Sequence, residues 1–537
     1  MEKRSNSFVK GAAILAVAGL IVKIIGAFFR IPLANLIGVE GMRYYEITYP
    51  YYSFLLAVSS AGLPTAISKT VAERVTFQDY HGARAVFKDA FLLLTAIGVS
   101  TSLIMFFGAE SIAAFAKSEA AYLSFRALAP SLLLVSIMCA YRGYLQGMQQ
   151  MTGTAVSQVA EQVGKLALGL YLGVRLLPRG PEYAAMGAII GVTASELLGL
   201  AVIWIFYMSK RKRFARALKR SEMRTYKNGS FLKPLLLIAI PITIGASISS
   251  LAGMVDSALI IRLLLKLGFS ESTAGIAYSL LRANVTTLVN MPGVLTMALA
   301  VSLVPAISAY VAKKDFKRAK TAARLGMKLA LIIGLPCATG LFVLSEPVLL
   351  LLYPSLTGGQ LSLASELLKT ASVGVIFLSL VQSMTGVIQG LGKPNAPVFN
   401  LFVGFVLKVV TMLVLMNLPG INIQGAAVST VVCYAFAGIA DTVYTVRKTG
   451  MRLNIFDVFA KPALASLAMG IAASASYGLL KGAGRHTLAT VGAIGIAVLV
   501  YAALMLAFKM FSEDELEMIP GGRKLQSLIN RFGRRAK

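Results

Sequence analysis

Lys23 and Arg30 lie seven residues apart in an otherwise apolar run, two helical turns along one face, with no acid in the run to neutralise them. Arg126, Lys165, Arg262, Arg282 and Lys408 interrupt later apolar runs in the same way, against four acids, Glu161, Glu196, Asp256 and Asp441. A charge inside a bilayer costs at least about 2.5–3.5 kcal/mol to insert, so it is expected to face a cavity or a partner rather than lipid. A cation-rich cavity of low dielectric focuses its field and gathers anions. Arginine forks and lysine ammonium groups suit phosphate in particular. Arg30, towards the outer end of its run, could equally snorkel to the interface, whereas Lys23 is expected to line the cavity. Glu161 and Lys165 stand i,i+4 in the favourable order and form a polar stripe with Gln158 and Gln162. That stripe reads either as a self-neutralised pair holding helices together or as part of a site. Lys408 has no acid at that i,i+4 spacing, Asp256 could pair with Arg282 or with Arg30, and Arg142 reads as interfacial and structural.

Other chemistries find no residues to perform them. The two histidines, His81 and His486, fall in expected loops, which removes His-based metal sites and Ser/His or Cys/His nucleophiles. Cys139, Cys337 and Cys433 lie in apolar stretches without paired or metal-ligand spacing and read as free, buried residues. Gly390-Leu391-Gly392-Lys393-Pro394 is no phosphate loop, because Val387 stands where the upstream glycine belongs and proline follows the lysine. No enzymatic activity and no cofactor or metal are expected.

The elements that position these charges follow from composition. With 57% hydrophobic and only 14% charged residues over 537, and a mean hydropathy of +0.74, there is too little polar surface for soluble domains. An all-α polytopic membrane protein is expected. Runs of about 20 apolar residues give fourteen spans: 8–30, 46–68, 87–108, 120–145, 153–176, 183–208, 233–264, 273–311, 322–345, 362–388, 395–417, 422–446, 459–480 and 487–510. The net charge of +29 reads as positive-inside loops rather than a nucleic-acid surface, since the basic residues fall between apolar runs. The loop after the sixth span carries Lys210, Arg211, Lys212, Arg213, Arg220 and Arg224 among others, and the loop after the eighth carries Lys313, Lys314, Lys317 and Arg318. Loops after the ninth and eleventh spans carry none. Even-numbered loops and both termini are therefore expected in the cytoplasm. The tail at 512–537 runs from acidic to basic and reads as an amphipathic cytoplasmic helix at anionic phospholipids.

An internal duplication is also legible. Leu63-Pro64-Thr65-Ala66-Ile67-Ser68 recurs as Val304-Pro305-Ala306-Ile307-Ser308, Gln146-Gly147 recurs as Gln389-Gly390, and Lys165 recurs as Lys408, at offsets of 240 to 243 residues. Two parallel six-helix lobes are expected at 1–208 and 233–446, with the basic linker at 209–232 between them and a substrate cavity near their interface. Spans 13 and 14, within 447–511, lie outside the repeat. Gly169-x-x-x-Gly173 and Gly187-x-x-x-Gly191 predict close helix approach. Tyr44, Tyr45, Tyr49, Tyr51 and Tyr52 read as an interfacial aromatic belt.

The stretch Lys23-Ile24-Ile25-Gly26-Ala27-Phe28-Phe29-Arg30-Ile31-Pro32, then Leu36-Ile37-Gly38 and Gly62-Leu63-Pro64-Thr65-Ala66-Ile67-Ser68-Lys69, resembles the stage V sporulation protein B and MurJ-like branch of the MOP (MATE-like) exporter superfamily. Met291-Pro292-Gly293-Val294-Leu295 and the later Val304-Pro305-Ala306-Ile307-Ser308 add a match in the second half. The resemblance implies a flippase in the bacterial cytoplasmic membrane, working as a monomer. It would move an undecaprenyl-pyrophosphate-linked cell-wall precursor such as lipid II outward by alternating access. It also implies that Lys23 and Arg30 line the cavity, that Glu46 is the acid early in the second span, and that spans 13 and 14 hold the lipid tail. Thr286 and Thr287 stand where the family has a cation, with Arg282 earlier. The substrate-binding set expected is thus Lys23, Arg30, Glu46, Arg126, Lys165, Asp256, Arg282 and Lys408.

A flippase for another polysaccharide repeat unit has the same features. A MATE-like cation-coupled multidrug antiporter would need a carboxylate in the first span, which has none. A membrane glycosyltransferase would need an acidic metal-binding motif, also absent from the sequence. Without a nucleotide site, transport would draw on the membrane potential, a Na+ or H+ gradient, or product consumption.

Overall fold

The computed structural model describes residues 2–219, 221, 226–451, 453–482, 486–511 and 515. The expected tail helix at 512–537 therefore lies outside the described residues apart from Glu515, as do Arg220 and Arg224 of the linker. Among the described residues every regular element is helical, as a bilayer demands, because helices satisfy their own backbone polar groups. Packing divides the chain into two units, Met1–Ser279 and Leu280–Lys537. The first holds α1 (Glu2–Ser60), α2 (Leu63–Thr76), α3 (Tyr80–Phe107), α4 (Ala109–Phe115), α5 (Tyr122–Gly147), α6 (Met151–Leu176), α7 (Pro181–Lys219), α8 (Leu232–Lys266) and α9 (Glu271–Ser279). The second opens with a π-helical turn, Leu280–Val285, and continues through α10 (Thr286–Ala312), α11 (Phe316–Val343), α12 (Ser345–Leu352), α13 (Gly358–Gly390), α14 (Asn395–Met416) and α15 (Gln424–Thr449). It ends with α16 (Lys461–Lys481) and α17 (His486–Ala507).

Among the described residues twelve helical runs are long and apolar enough to cross a membrane, against fourteen expected. The difference arises at two places. The run Val17–Thr76 is 60 residues long, about 90 Å as continuous helix and some three times the hydrocarbon thickness. It is broken at Gly38, whose φ of 70° and ψ of 177° leave the helical region, a conformation that glycine adopts without penalty. The other place is α6, whose 26 residues carry Glu161, Lys165 and the two glutamines.

The duplication reappears in the geometry of each unit. Gln78 (φ 58°) precedes Asp79, which caps α3 by accepting from the Gly82 N–H at 2.8 Å. Lys314 (φ 57°) precedes Asp315, which caps α11 by accepting from the Arg318 N–H at 3.1 Å. Gly98 of α3 lies against Ser136 of α5, and Gly334 of α11 lies against Ser379 of α13, with an added Cβ meeting each serine at 2.8 Å. Gly147 of α5 packs on α2 at Val71, and Gly390 of α13 packs on α10 at Ile307, about one turn earlier in the repeat.

The basic linker is not where packing divides the chain. Asp89 of α3 accepts from the backbone N–H of Gly229 at 2.9 Å and of Phe231 at 3.1 Å, while Asp79 accepts from the Tyr226 hydroxyl at 2.6 Å. Burial pushes the Asp79 carboxyl up, but the Tyr226 hydroxyl, the Gly82 N–H and Arg74 outweigh it and hold the group below its ordinary range. The linker end is thereby fastened to α3, and α8 continues onto α1 and α2, where the Gly62 N–H donates to Thr243 Oγ1 at 3.2 Å. The span expected to open the second lobe belongs by packing to the first unit.

Within the second unit α16 lies on α11, with an added Cβ at Gly470 meeting Thr339 Cγ2 at 2.6 Å. The Tyr501 hydroxyl donates to the Ile332 carbonyl at 2.9 Å. Gly470 therefore faces α11 rather than an open groove, and the last two helices brace the second unit. The surface that remains open includes Ile471, Leu479, Val498 and Leu499. Lys328, 1% exposed, reaches Asp457 at 2.7 Å and Glu515 at 3.0 Å, fastening α11 to the turn before α16 and to the start of the tail.

Candidate functional site

In the first unit the kink at Gly38 folds the second arm of α1 back towards the first. Arg30 of the first arm then meets Glu46 of the second, Nη2 to Oε1 at 3.3 Å, with Glu46 1% and Arg30 27% exposed. Tyr45, Tyr49 and Tyr52 recur at helical spacing on the second arm, and their rings pack in series, 5.3 Å and then 5.6 Å between centroids. Helix α6 closes against this layer. Lys165 Nζ donates to the Tyr49 hydroxyl at 3.0 Å and lies 5.1 Å from the Phe29 ring centroid and 5.0 Å from that of Tyr49. An added Cβ at Gly169 would come within 2.8 Å of the Phe29 ring, so glycine there permits the contact. Gly26, between Lys23 and Arg30, meets Gln162 of α6 at 3.7 Å through an added Cβ, which sets the α1 face bearing both cations towards the polar stripe. Lys23 is exposed and forms no ion pair among the described residues.

The interior continues through Tyr52, whose hydroxyl donates to Glu196 Oε1 at 2.9 Å and accepts from Ser131 at 2.7 Å. The tyrosines expected as an interfacial belt are thus largely interior, since Tyr45, Tyr51 and Tyr52 are buried. A phenol suits a wet membrane interface and a polar interior equally well. The pair expected between Glu161 and Lys165 is also replaced. Arg142 of α5 takes Glu161 at 3.0 Å and donates to Ser157 at 3.0 Å, which leaves Lys165 to the aromatic rings.

The remaining sequence candidates lie elsewhere. Arg126 pairs with Glu110 at 2.8 Å where α4 meets α5, both partners well exposed. Asp256 is buried on α8. In the second unit Arg282 sits within the π-helical turn and Lys408 is buried on α14. Arg262 lies over the Phe115 ring and donates to its carbonyl at 3.0 Å. Asp441 accepts from Asn400 at 2.7 Å. The structure therefore brings Lys23, Arg30, Glu46 and Lys165 to adjoining helices of one unit and adds Phe29, Tyr49, Tyr52 and Glu196 to their neighbourhood. Helical spacing of the tyrosines was the sequence signal for a shared face. Nothing in the sequence pairs Tyr49 with a lysine 116 positions later. The close approach of α6 to α7 follows from Gly191, where an added Cβ would collide with the Gly169 backbone.

These features define a polytopic membrane protein with a cation-lined polar interior in its first unit. Residues 8–311 match the family model for polysaccharide biosynthesis protein, more than half of the chain, and residues 241–414 match that for MatE. The chain belongs to the polysaccharide biosynthesis protein family. It is 26% identical to stage V sporulation protein B of Bacillus subtilis (strain 168), over 96% of this chain and 98% of the relative. It is 25% identical to lipid II flippase MurJ of the same organism, over 84% of this chain and 85% of that one. A solved structure of lipid II flippase MurJ, in an inward closed conformation, shares the fold with a TM-score of 0.67 at 15% identity, over 92% of this chain and 98% of the other.

Proposed function

We propose that the protein is a flippase that carries an undecaprenyl-pyrophosphate-linked glycan, such as lipid II, from the inner to the outer leaflet of a bacterial cytoplasmic membrane by alternating access. The observation that carries this reading is the gathering of Lys23, Arg30 and Lys165 on α1 and α6, where Arg30 alone of the three forms an ion pair among the described residues. Two lysines with no carboxylate partner among the described residues and one shared guanidinium match a pyrophosphate, which offers several anionic oxygens at once. Lys165 is held by Tyr49 and Phe29 rather than neutralised, so its charge remains available to an anion. The positive-inside bias puts both termini in the cytoplasm, and the chain acts as a monomer. The exposed apolar face of α16 and α17 around Leu479 and Leu499 supports contact with the lipid tail. In this reading the cycle is driven by the membrane potential or a Na+ or H+ gradient. A flippase for another polysaccharide repeat unit is the second reading, favoured by the family description itself.

Complementation of a strain depleted of its lipid II flippase tests the choice. Growth restored by the wild-type chain and not by Lys23→Glu supports lipid II as substrate. A wild-type chain that reaches the membrane and does not restore growth transfers the assignment to another lipid-linked glycan.

A further inference from the structure

In the second unit α14 and α15 leave a groove of about 590 Å³ between them. On α15 its wall runs from Phe436 through Ile439 and Val443 to Arg447, with Lys448 beside the last. These positions recur at helical spacing, so they form one stripe along about three turns, roughly 16 Å from end to end. That length is about half of a 30 Å hydrocarbon core, the depth of one leaflet. The apolar members are exposed, while Arg447 and Lys448 stand exposed at the end of the helix and form no ion pair among the described residues. Asp441, the one acid of α15, is buried rather than exposed on this stripe and accepts from Asn400 through Oδ1 at 2.7 Å.

We propose that this groove binds one anionic phospholipid of the cytoplasmic leaflet, its phosphate held by Arg447 and Lys448 and an acyl chain laid along Val443, Ile439 and Phe436. The charge pattern selects the occupant: two exposed cations at one end call for an anion, and a single-leaflet apolar stripe calls for a chain rooted at that end. The lysine and arginine of this groove belong to the second unit, and the proposed pyrophosphate cations belong to the first. The inference rests on the membrane orientation given above and not on the transported substrate.

The test reconstitutes the full-length protein into vesicles of phosphatidylethanolamine and phosphatidylglycerol, extracts it gently, and reads retained lipid by native mass spectrometry. Phosphatidylglycerol should be retained above its share of the vesicle. Arg447→Gln/Lys448→Gln should weaken that retention on the order of thirtyfold, the product of two interfacial cations. Val443→Trp, which fills the groove, should also abolish it, while Lys313→Gln/Lys314→Gln at the basic end of α10 should not. Equal retention by the Arg447/Lys448 variant, whose exposed positions leave the fold intact, overturns the proposal. Displacement of phosphatidylglycerol from the wild type by undecaprenyl pyrophosphate also overturns it and gives the groove to the substrate. A wild-type protein that retains phosphatidylglycerol but does not flip lipid II in the same vesicles would count against the function proposed above and leave this site standing.

Discussion

Replacing Arg30 by alanine strands Glu46, a carboxylate 1% exposed whose Oε1 lies 3.3 Å from the guanidinium. Removing one member of a buried pair costs about 3–5 kcal/mol, because the remaining charge stays desolvated without its partner. Arg30 is itself 27% exposed, so part of its charge is already solvated and the lower end, about 3 kcal/mol, is the expected loss. The double variant Arg30→Ala/Glu46→Gln removes both charges together and should leave a deficit of about 1 kcal/mol for hydrogen bonds not remade. Stability is read as the apparent thermal midpoint of the detergent-purified protein at one fixed scan rate, since unfolding of such proteins is irreversible. Flipping of a fluorescent lipid II in proteoliposomes is the second readout. If Arg30 acts on the substrate, the double variant regains stability and stays inactive. A double variant that flips at the wild-type rate would reduce Arg30 to a structural residue and refute the reasoning.

Three further outcomes follow from other parts of the molecule. Gly191→Leu should separate α6 from α7 and lower stability by about 1–3 kcal/mol, whereas Gly495→Ala, with nothing within 4 Å of an added Cβ, should be neutral in the same thermal assay. Asp79 has a folded-state pKa below its ordinary value, so the stability it contributes is complete above about pH 4 and is lost as pH falls through the lower folded value. Protease access to the linker around Tyr226 should accordingly rise only at more acid pH, while Tyr226→Phe should raise it at neutral pH; cleavage insensitive to both changes would contradict the docking of the linker. Moving one charge through 100 mV is worth about 2.3 kcal/mol, so an imposed membrane potential or ion gradient should alter flipping in proteoliposomes, and indifference to potential, Na+ and H+ alike would refute coupling.

Hydropathy and the recurring Leu63-Pro64 and Val304-Pro305 segments made the helical architecture and its duplication legible, because both depend on residue type and order alone. Pairing inside the bilayer was less so. The i,i+4 spacing of Glu161 and Lys165 satisfied a local rule, yet Arg142, arriving from α5, takes the glutamate at 3.0 Å. A tertiary guanidinium with two acceptors outcompetes a neighbour on the same helix. The position of α8 was hidden for a similar reason, since Asp89 captures two backbone N–H groups of a linker 140 residues away. The break at Gly38 falls between the spans expected at 8–30 and 46–68, so the turn was legible, while its place within a helix that otherwise continues through Pro32 was not. The spacing of Lys23 and Arg30 conveyed that they share one face of α1; that this face turns to α6 comes from the approach of Gly26 to Gln162.

Lys23 tests the central claim most directly, because it is exposed on that face and forms no ion pair among the described residues. Flipping of fluorescent lipid II should be compared in proteoliposomes containing equal amounts of folded wild type, Lys23→Arg and Lys23→Glu. The account predicts transport by the wild type, partial transport by Lys23→Arg, and none by Lys23→Glu, in which a carboxylate repels the pyrophosphate. Full activity in Lys23→Glu would contradict anion binding by the first-unit cations.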